Sequence, residues 1–155
     1  MNPINYMQRT RDFYRAQGFE KDYEWAHYDE IPFTPLRKPL GECTVAIVTT
    51  AVVESDIPKP VRKATSYPYS ALPSKLNTNE QAWDKVTTHT DDRQSYFPLE
   101  ALEELLSSGK VKKIAPRFHF IPTEYSQGNT LEIDAPAILA ACREDAVDIA
   151  LLVPL

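Results

Sequence analysis

Cys43-Thr-Val-Ala-Ile-Val-Thr-Thr-Ala51 is the stretch that decides the fold. It is a nearly continuous β-branched run without polar alternation, the pattern of a strand buried on both faces, and such strands belong to parallel sheets covered by helices. Working outward, Pro98 opens a helical pattern in which Leu99, Leu102, Leu105 and Leu106 share one face and Gly109 offers a left-handed cap. Lys113-Ile-Ala-Pro-Arg-Phe-His-Phe-Ile121 reads as a second strand, with Pro116 at an edge or an entry. A further helix is expected from Asp134, with that carboxylate as N-cap and Pro136 in the first turn, burying Ile138, Leu139 and Cys142 and ending near Asp145. Val147-Asp-Ile-Ala-Leu-Leu-Val-Pro-Leu155 forms a third apolar strand. Strand, helix, strand, helix, strand predicts an α/β fold: an open, mainly parallel sheet with flanking helices, Rossmann- or flavodoxin-like.

Before this core, Pro3 to Gln17 places Tyr6, Thr10, Phe13, Tyr14 and Gln17 on one helical face, and Gly18 ends it. Phe19 to Leu40 is aromatic and proline-punctuated without a period, so residues 1–40 read as a helix and extended arm, and residues 41–155 as the α/β part of a single domain. Val53 to Val86 is polar and proline-rich. No strand is assigned there, and a stretch this long inside a domain is usually functional or mobile.

Composition excludes several classes. The 155 residues make one domain, and no apolar run approaches the ~18 residues of a spanning helix, so no membrane partner is expected. Twenty-two acidic side chains against 17 basic ones leave a net charge of -5, which removes the basis for a broad nucleic-acid footprint. The N-terminus lacks an apolar secretory core and two cysteines make no disulfide framework, so the expectation is cytoplasm and reduced thiols. Four isolated glycines form neither a phosphate loop nor a dinucleotide fingerprint, and no His/Cys/Asp cluster has metal-ligand spacing, so no cofactor or metal is expected in this chain.

The candidate site residues are few. His89 lies in Thr87-Thr-His-Thr-Asp-Asp92, a polar loop ahead of the Pro98 helix. Beside Asp91 it suits proton transfer, since a neighbouring carboxylate favours the imidazolium; a turn or capping cluster is the alternative. Arg117 and His119 share the strand face opposite Phe118 and Phe120, and the Arg117 fork suits a substrate carboxylate; the plainer reading is a solvent- or helix-facing side. Cys43 and Cys142 read as small core residues. Open α/β sheets carry their chemistry in loops beyond the carboxyl ends of the strands. The apolar close at Leu155 therefore reads as a sheet truncated before its catalytic loop, the alternative being a short core strand that happens to come last.

Several segments together resemble the selenoprotein B family of glycine, sarcosine, betaine and D-proline reductases. They are Ile31-Pro-Phe-Thr-Pro-Leu36 with Lys38-Pro-Leu40, Val45-Ala-Ile-Val-Thr-Thr50, Thr88-His89 with Asp91 and Asp92, Phe97-Pro-Leu99 before Leu102, and the closing Val147-Asp148 to Pro154. The resemblance covers most of Ile31 to Leu155, with Ile31 to Leu36 its most specific phrase. It implies an oxidoreductase that reductively cleaves a carbon–nitrogen bond of an amino acid or betaine-like amine, with a dithiol/disulfide couple such as thioredoxin as electron partner. It implies a selenocysteine, or a cysteine in its place, beyond Leu155, and a pyruvoyl group in a partner subunit. It also favours a site role for His89, through the family's Ser/Thr-His loop. The aromatic arm and the Pro58 to Pro73 stretch have no counterpart in that pattern. The rival expectation is a non-catalytic scaffolding subunit that docks a partner through Tyr23 to Phe33.

Overall fold

The computed structural model describes residues 5–31, 33–58, 61–81, 85–123 and 126–155. Its elements run α1 (Tyr6–Ala16), β1 (Thr44–Thr49), β2 (Thr65–Pro68), α2 (Leu99–Ser107), β3 (Lys113–Ile114), β4 (Arg117–Phe120), α3 (Gln127–Asn129), a π turn (Thr130–Asp134), α4 (Ala135–Glu144) and β5 (Ile149–Val153). They divide between two compact units, residues 1–33 and 34–155.

In the first unit, Asn5 caps α1 by accepting the Gln8 N–H at 3.2 Å, and Gly18 ends the turn at φ +88°. The expected start at Pro3 lies outside the described residues. Edge-to-face contacts Phe13–Tyr14 and Tyr14–Phe19, the Arg15–Asp22 fork and the Arg11 guanidinium 5.3 Å above Trp25 fold the arm back on the helix.

In the second unit all six residues of β1 are buried, as its unbroken apolar sequence requires. β1 pairs in parallel with β3, β4 and β5, while β2 adds antiparallel to β4, giving an open mixed sheet of five strands. Carbonyls of Cys43, Val45 and Thr49 accept from Lys113, Ala115 and Ile121, whereas the Thr44 carbonyl accepts from Asp148. Alternate carbonyls of a strand point to opposite sides, so β3 and β4 lie on one flank of β1 and β5 on the other. The single strand expected over Lys113 to Ile121 is therefore split. Val45 opposes Ile114 and Val48 opposes His119, so three steps along β1 match five on its partner. The two extra residues centre on Ala115-Pro116, where proline has no N–H for the ladder.

Odd-numbered β1 residues face α2. Val45 packs with Leu102 and Val111, while Ile47 joins Tyr67, Tyr96, Phe97, Phe118 and Phe120. Even-numbered Ala46 meets Ala115, Cys142 and Ile138 below α4. The result is helix, sheet, helix. α2 follows Pro98 at its N-cap and is closed by Gly109 at φ +70°, whose N–H reaches the Leu106 carbonyl at 3.0 Å, as its sequence predicts.

The helix before β5 departs in part from expectation. α4 starts after Asp134 with Pro136 in its first turn, as expected, but the Asp134 carboxylate makes no capping hydrogen bond; the cap further up is Ser126, which accepts the Asn129 N–H at 3.2 Å ahead of α3. Asp134 is buried where the π turn meets α4, and its Oδ1 accepts the Ala64 N–H at 2.8 Å, just ahead of β2. A proline inside a helix clashes with the carbonyl four residues back, and the π turn is where the chain accommodates Pro136. Leu139, expected inside, is 49% exposed. Within Val53 to Val86, where no strand is predicted, β2 forms with a 3-10 turn at Tyr69–Ala71 and an antiparallel bridge Val52–Asn77.

Candidate functional site at the strand carboxyl ends

Open parallel sheets bind ligands beyond the carboxyl ends of their strands. Here that end is built by side chains reaching back from distant loops. Thr49, fully buried, donates from Oγ1 to the Tyr96 carbonyl at 3.2 Å and accepts the Ala51 N–H at 3.1 Å. Buried Gln81 donates from Nε2 to the Thr50 carbonyl at 2.6 Å. Thr50 Oγ1 accepts the Leu155 N–H at 2.8 Å, which ties the residues after β5 to those after β1. Arg62 is only 5% exposed; its guanidinium clamps the Glu80 carboxylate with two donors and the Ile57 carbonyl with a third at 2.8 Å. These anchors hold residues 53–58 and 61–81 over the sheet.

Between this segment and the strand ends lies a crevice of about 170 Å³. Val52, Ile57 and Val61 line it with the aromatic faces of Tyr67 and Phe120, and Glu54 and Lys63 stand at its exposed rim. Arg62 and Thr65 also line it, so the crevice is open and of mixed polarity, with room for a small molecule but not a nucleotide. Burial pushes the Tyr67 hydroxyl up, and the neighbouring Glu54 carboxylate adds to the shift.

His89 and Asp91 sit at the same end of the sheet. Asn77 bridges Val52 just past β1, and Thr78 Oγ1 meets Thr90 Oγ1 at 2.7 Å, which brings their loop alongside. His89 Nδ1 is 3.7 Å from Asp91 Oδ2, Lys75 Nζ is 3.6 Å from Asp91 Oδ1, and the His89 side chain is 75% exposed. Residues 75–79 line a shallow open hollow of about 280 Å³ beside them.

Arg117 and His119 are not brought to this loop. Arg117 opens β4, and its fork is engaged by Asp145 (2.8 Å), Glu144 (3.0 Å) and the Ala141 carbonyl (3.3 Å) at the C-terminal end of α4. Those hydrogen bonds hold the guanidinium pKa well above its ordinary value. A substrate carboxylate would have to displace Asp145. His119 is fully buried against α4, with Nδ1 2.8 Å from Ser66 Oγ and Nε2 3.5 Å from Cys142 Sγ, so both ring nitrogens are paired in either tautomer. Burial lowers its pKa and raises that of the Cys142 thiol.

Cys43 is buried and directs its thiol to the Pro39 carbonyl at 3.3 Å. Among the described residues no group of three or more His, Cys, Asp or Glu converges as for a metal ion, and no helix is long and apolar enough to cross a membrane.

The crevice went unmarked in the sequence because its walls come from positions 52–67 and 120. The one available signal was the length and polarity of Val53 to Val86.

No family model matches the sequence, and no solved structure matches it. Over an alignment 129 positions long, which takes in 77% of this chain and 52% of the other protein, it is 27% identical to the D-proline reductase subunit gamma of Acetoanaerobium sticklandii. The chain thus spans about half the length of the curated relative it matches. Over most of its residues, then, it is distantly similar to a subunit of an amino-acid reductase, in keeping with the resemblance its motifs carry.

Proposed function

We propose that this chain is a subunit, or part of one, in a reductase complex that cleaves a carbon–nitrogen bond of an amino acid or betaine-like amine. The similarity to D-proline reductase subunit gamma carries the reading. The small crevice at the strand carboxyl ends, of a size for such an amine, supports it. In the proposed reaction a dithiol of a thioredoxin-like protein is oxidised to a disulfide and supplies two electrons and two protons. The C–N bond breaks, and one C–H and one N–H bond form. His89, 3.7 Å from Asp91, delivers the proton to the departing nitrogen. The selenolate or thiolate nucleophile and the pyruvoyl carbonyl implied by the resemblance belong, in this proposal, to polypeptide outside residues 1–155. The complex works in the cytoplasm, where dithiol reductants operate. Arg117 and His119 have a supporting part, holding β4 and β2 against α4.

The test is His89→Ala in the complete reductase. Because the ring is exposed, the melting temperature should stay within about 1 °C, while turnover should fall at least ~100-fold, the lower end for a lost general acid. Unchanged turnover would remove His89 from the mechanism, and a large loss of stability would mark it as structural. A second reading, a non-catalytic docking subunit, is favoured by one observation: Tyr28, Ile31 and Phe33 are 57%, 80% and 89% exposed. Under that reading Phe33→Ser would abolish assembly, and no residue of the crevice would affect turnover.

A further inference from the structure

β5 lacks every device by which natural sheets protect an edge. Among the described residues no strand pairs with its outer side. Its sequence, Ile-Ala-Leu-Leu-Val, holds no charge or proline, and it keeps an unbroken five-residue register with β1 and so contains no bulge. Even-numbered β1 groups face β5, and Ala46 pairs with Ala150 and Val48 with Leu152, so the backbone groups of Ile149, Leu151 and Val153 turn to β1 and those of Ala150 and Leu152 turn outward.

Its faces are covered only in part. Leu151, on the α2 side, is 37% exposed, and Leu152, on the α4 side, is 69% exposed. Leu139 of α4 adds apolar surface on that second side. Strands of a parallel sheet are normally covered on both faces, as β1 is; of β5, Ile149 and Val153 pack into the core on the α2 side, while Leu151 and Leu152 stay open.

We propose that the outer edge of β5 is a docking seam for a further parallel strand and its helix, contributed by reductase polypeptide corresponding to the half of D-proline reductase subunit gamma that this chain does not match. The identity of the occupant rests on the reductase reading above; the seam itself rests on β5. A second copy of this chain is the poorer occupant. Two copies meeting across a two-fold axis would pair β5 antiparallel to itself, adding strands but no helix over Leu151 or Leu152. A strand–helix unit completes the ladder and covers a face in one step.

The test uses two variants. Leu152→p-benzoylphenylalanine, placed in the tagged chain in its own cells and irradiated in the purified reductase, should cross-link to an apolar, strand-forming segment outside residues 1–155. Leu152→Lys should leave the melting temperature of the isolated chain unchanged, because the side chain is largely exposed, yet lower its recovery in the complex at least tenfold. Cross-linking to residues 149–153 of a second copy would overturn the proposal, as would normal assembly of Leu152→Lys. The two readings fail separately. A cross-linked seam in a complex without amine reduction sinks only the reductase assignment, and amine reduction by a complex with no cross-link at Leu152 sinks only the seam.

Discussion

Replacing Arg62 by alanine should loosen the whole cover of the strand ends. The side chain is 5% exposed and makes three close contacts, two to Glu80 and one to the Ile57 carbonyl at 2.8 Å. Removing one partner of a buried pair costs ~3–5 kcal/mol. Glu80 is 33% exposed, so water recovers part of its loss, and the expected cost is about 2–3 kcal/mol. At ~2–4 °C per kcal/mol for a chain of this size, the melting temperature should fall by about 4–12 °C. Thermal and denaturant unfolding followed by far-UV circular dichroism give the value. Limited proteolysis should show new cleavage between residues 53 and 64. Arg62→Lys should restore less than half, because an ammonium cannot span both carboxylate oxygens and the Ile57 carbonyl at once. A cost for Arg62→Ala below about 0.5 kcal/mol, or no new cleavage, would refute the clamp and with it the crevice as a preformed site.

Three further outcomes follow from the packing. Among the described residues the buried Tyr69 hydroxyl has no hydrogen-bond partner, and burial pushes its pKa up to about 12, so Tyr69→Phe should raise stability by about 1 kcal/mol in the same unfolding assay. Ala146 turns from α4 into β5 at φ 52°, a left-handed conformation costing ~1–2 kcal/mol for an L residue; Ala146→Gly should raise stability by about 0.5–1 kcal/mol after the greater unfolded-state entropy of glycine is subtracted. The His119 pKa is lowered by burial, so below 6.5 the unfolded chain binds a proton that the folded one does not. Stability from this group is therefore complete above pH 6.5 and is lost as pH falls from there toward the lowered folded value. His119→Gln should remove that part of the pH dependence, and the ring resonances should show no titration between pH 6.5 and 8.

How much was legible follows from where the determining forces act. β1, α2 and β5 declare themselves because their patterns are local: a both-faces-buried run, a leucine stripe between Pro98 and Gly109, and a second apolar run. Pro116 carried the warning of the split strand, though not the two-residue offset, which only pairing with β1 fixes. β2 was hidden because Thr65–Pro68 is short, polar and ends in proline; it forms only because β4 offers an edge. Asp134 ahead of Pro136 has the look of a cap, but its carboxylate is drawn instead to the Ala64 N–H, 70 residues away. The apolar end of the chain suggests burial, yet Leu152 lies open, a feature of the whole sheet that no local pattern reveals. His89 and Asp91 are near neighbours in sequence, so their 3.7 Å approach needs no long-range contact. The crevice could not be read from sequence, since Tyr67, Phe120 and Val52 become neighbours only on folding.

The most direct measurement is the reductase assay itself. The chain, tagged in its own cells, is purified with whatever assembles on it, given dithiothreitol and D-proline, sarcosine or betaine, and the products are separated by chromatography. The account predicts dithiol-dependent loss of one of these amines with stoichiometric appearance of its C–N-cleaved product, as 5-aminopentanoate would appear from D-proline. An assembled, folded complex that consumes none of them in the presence of dithiol would contradict it.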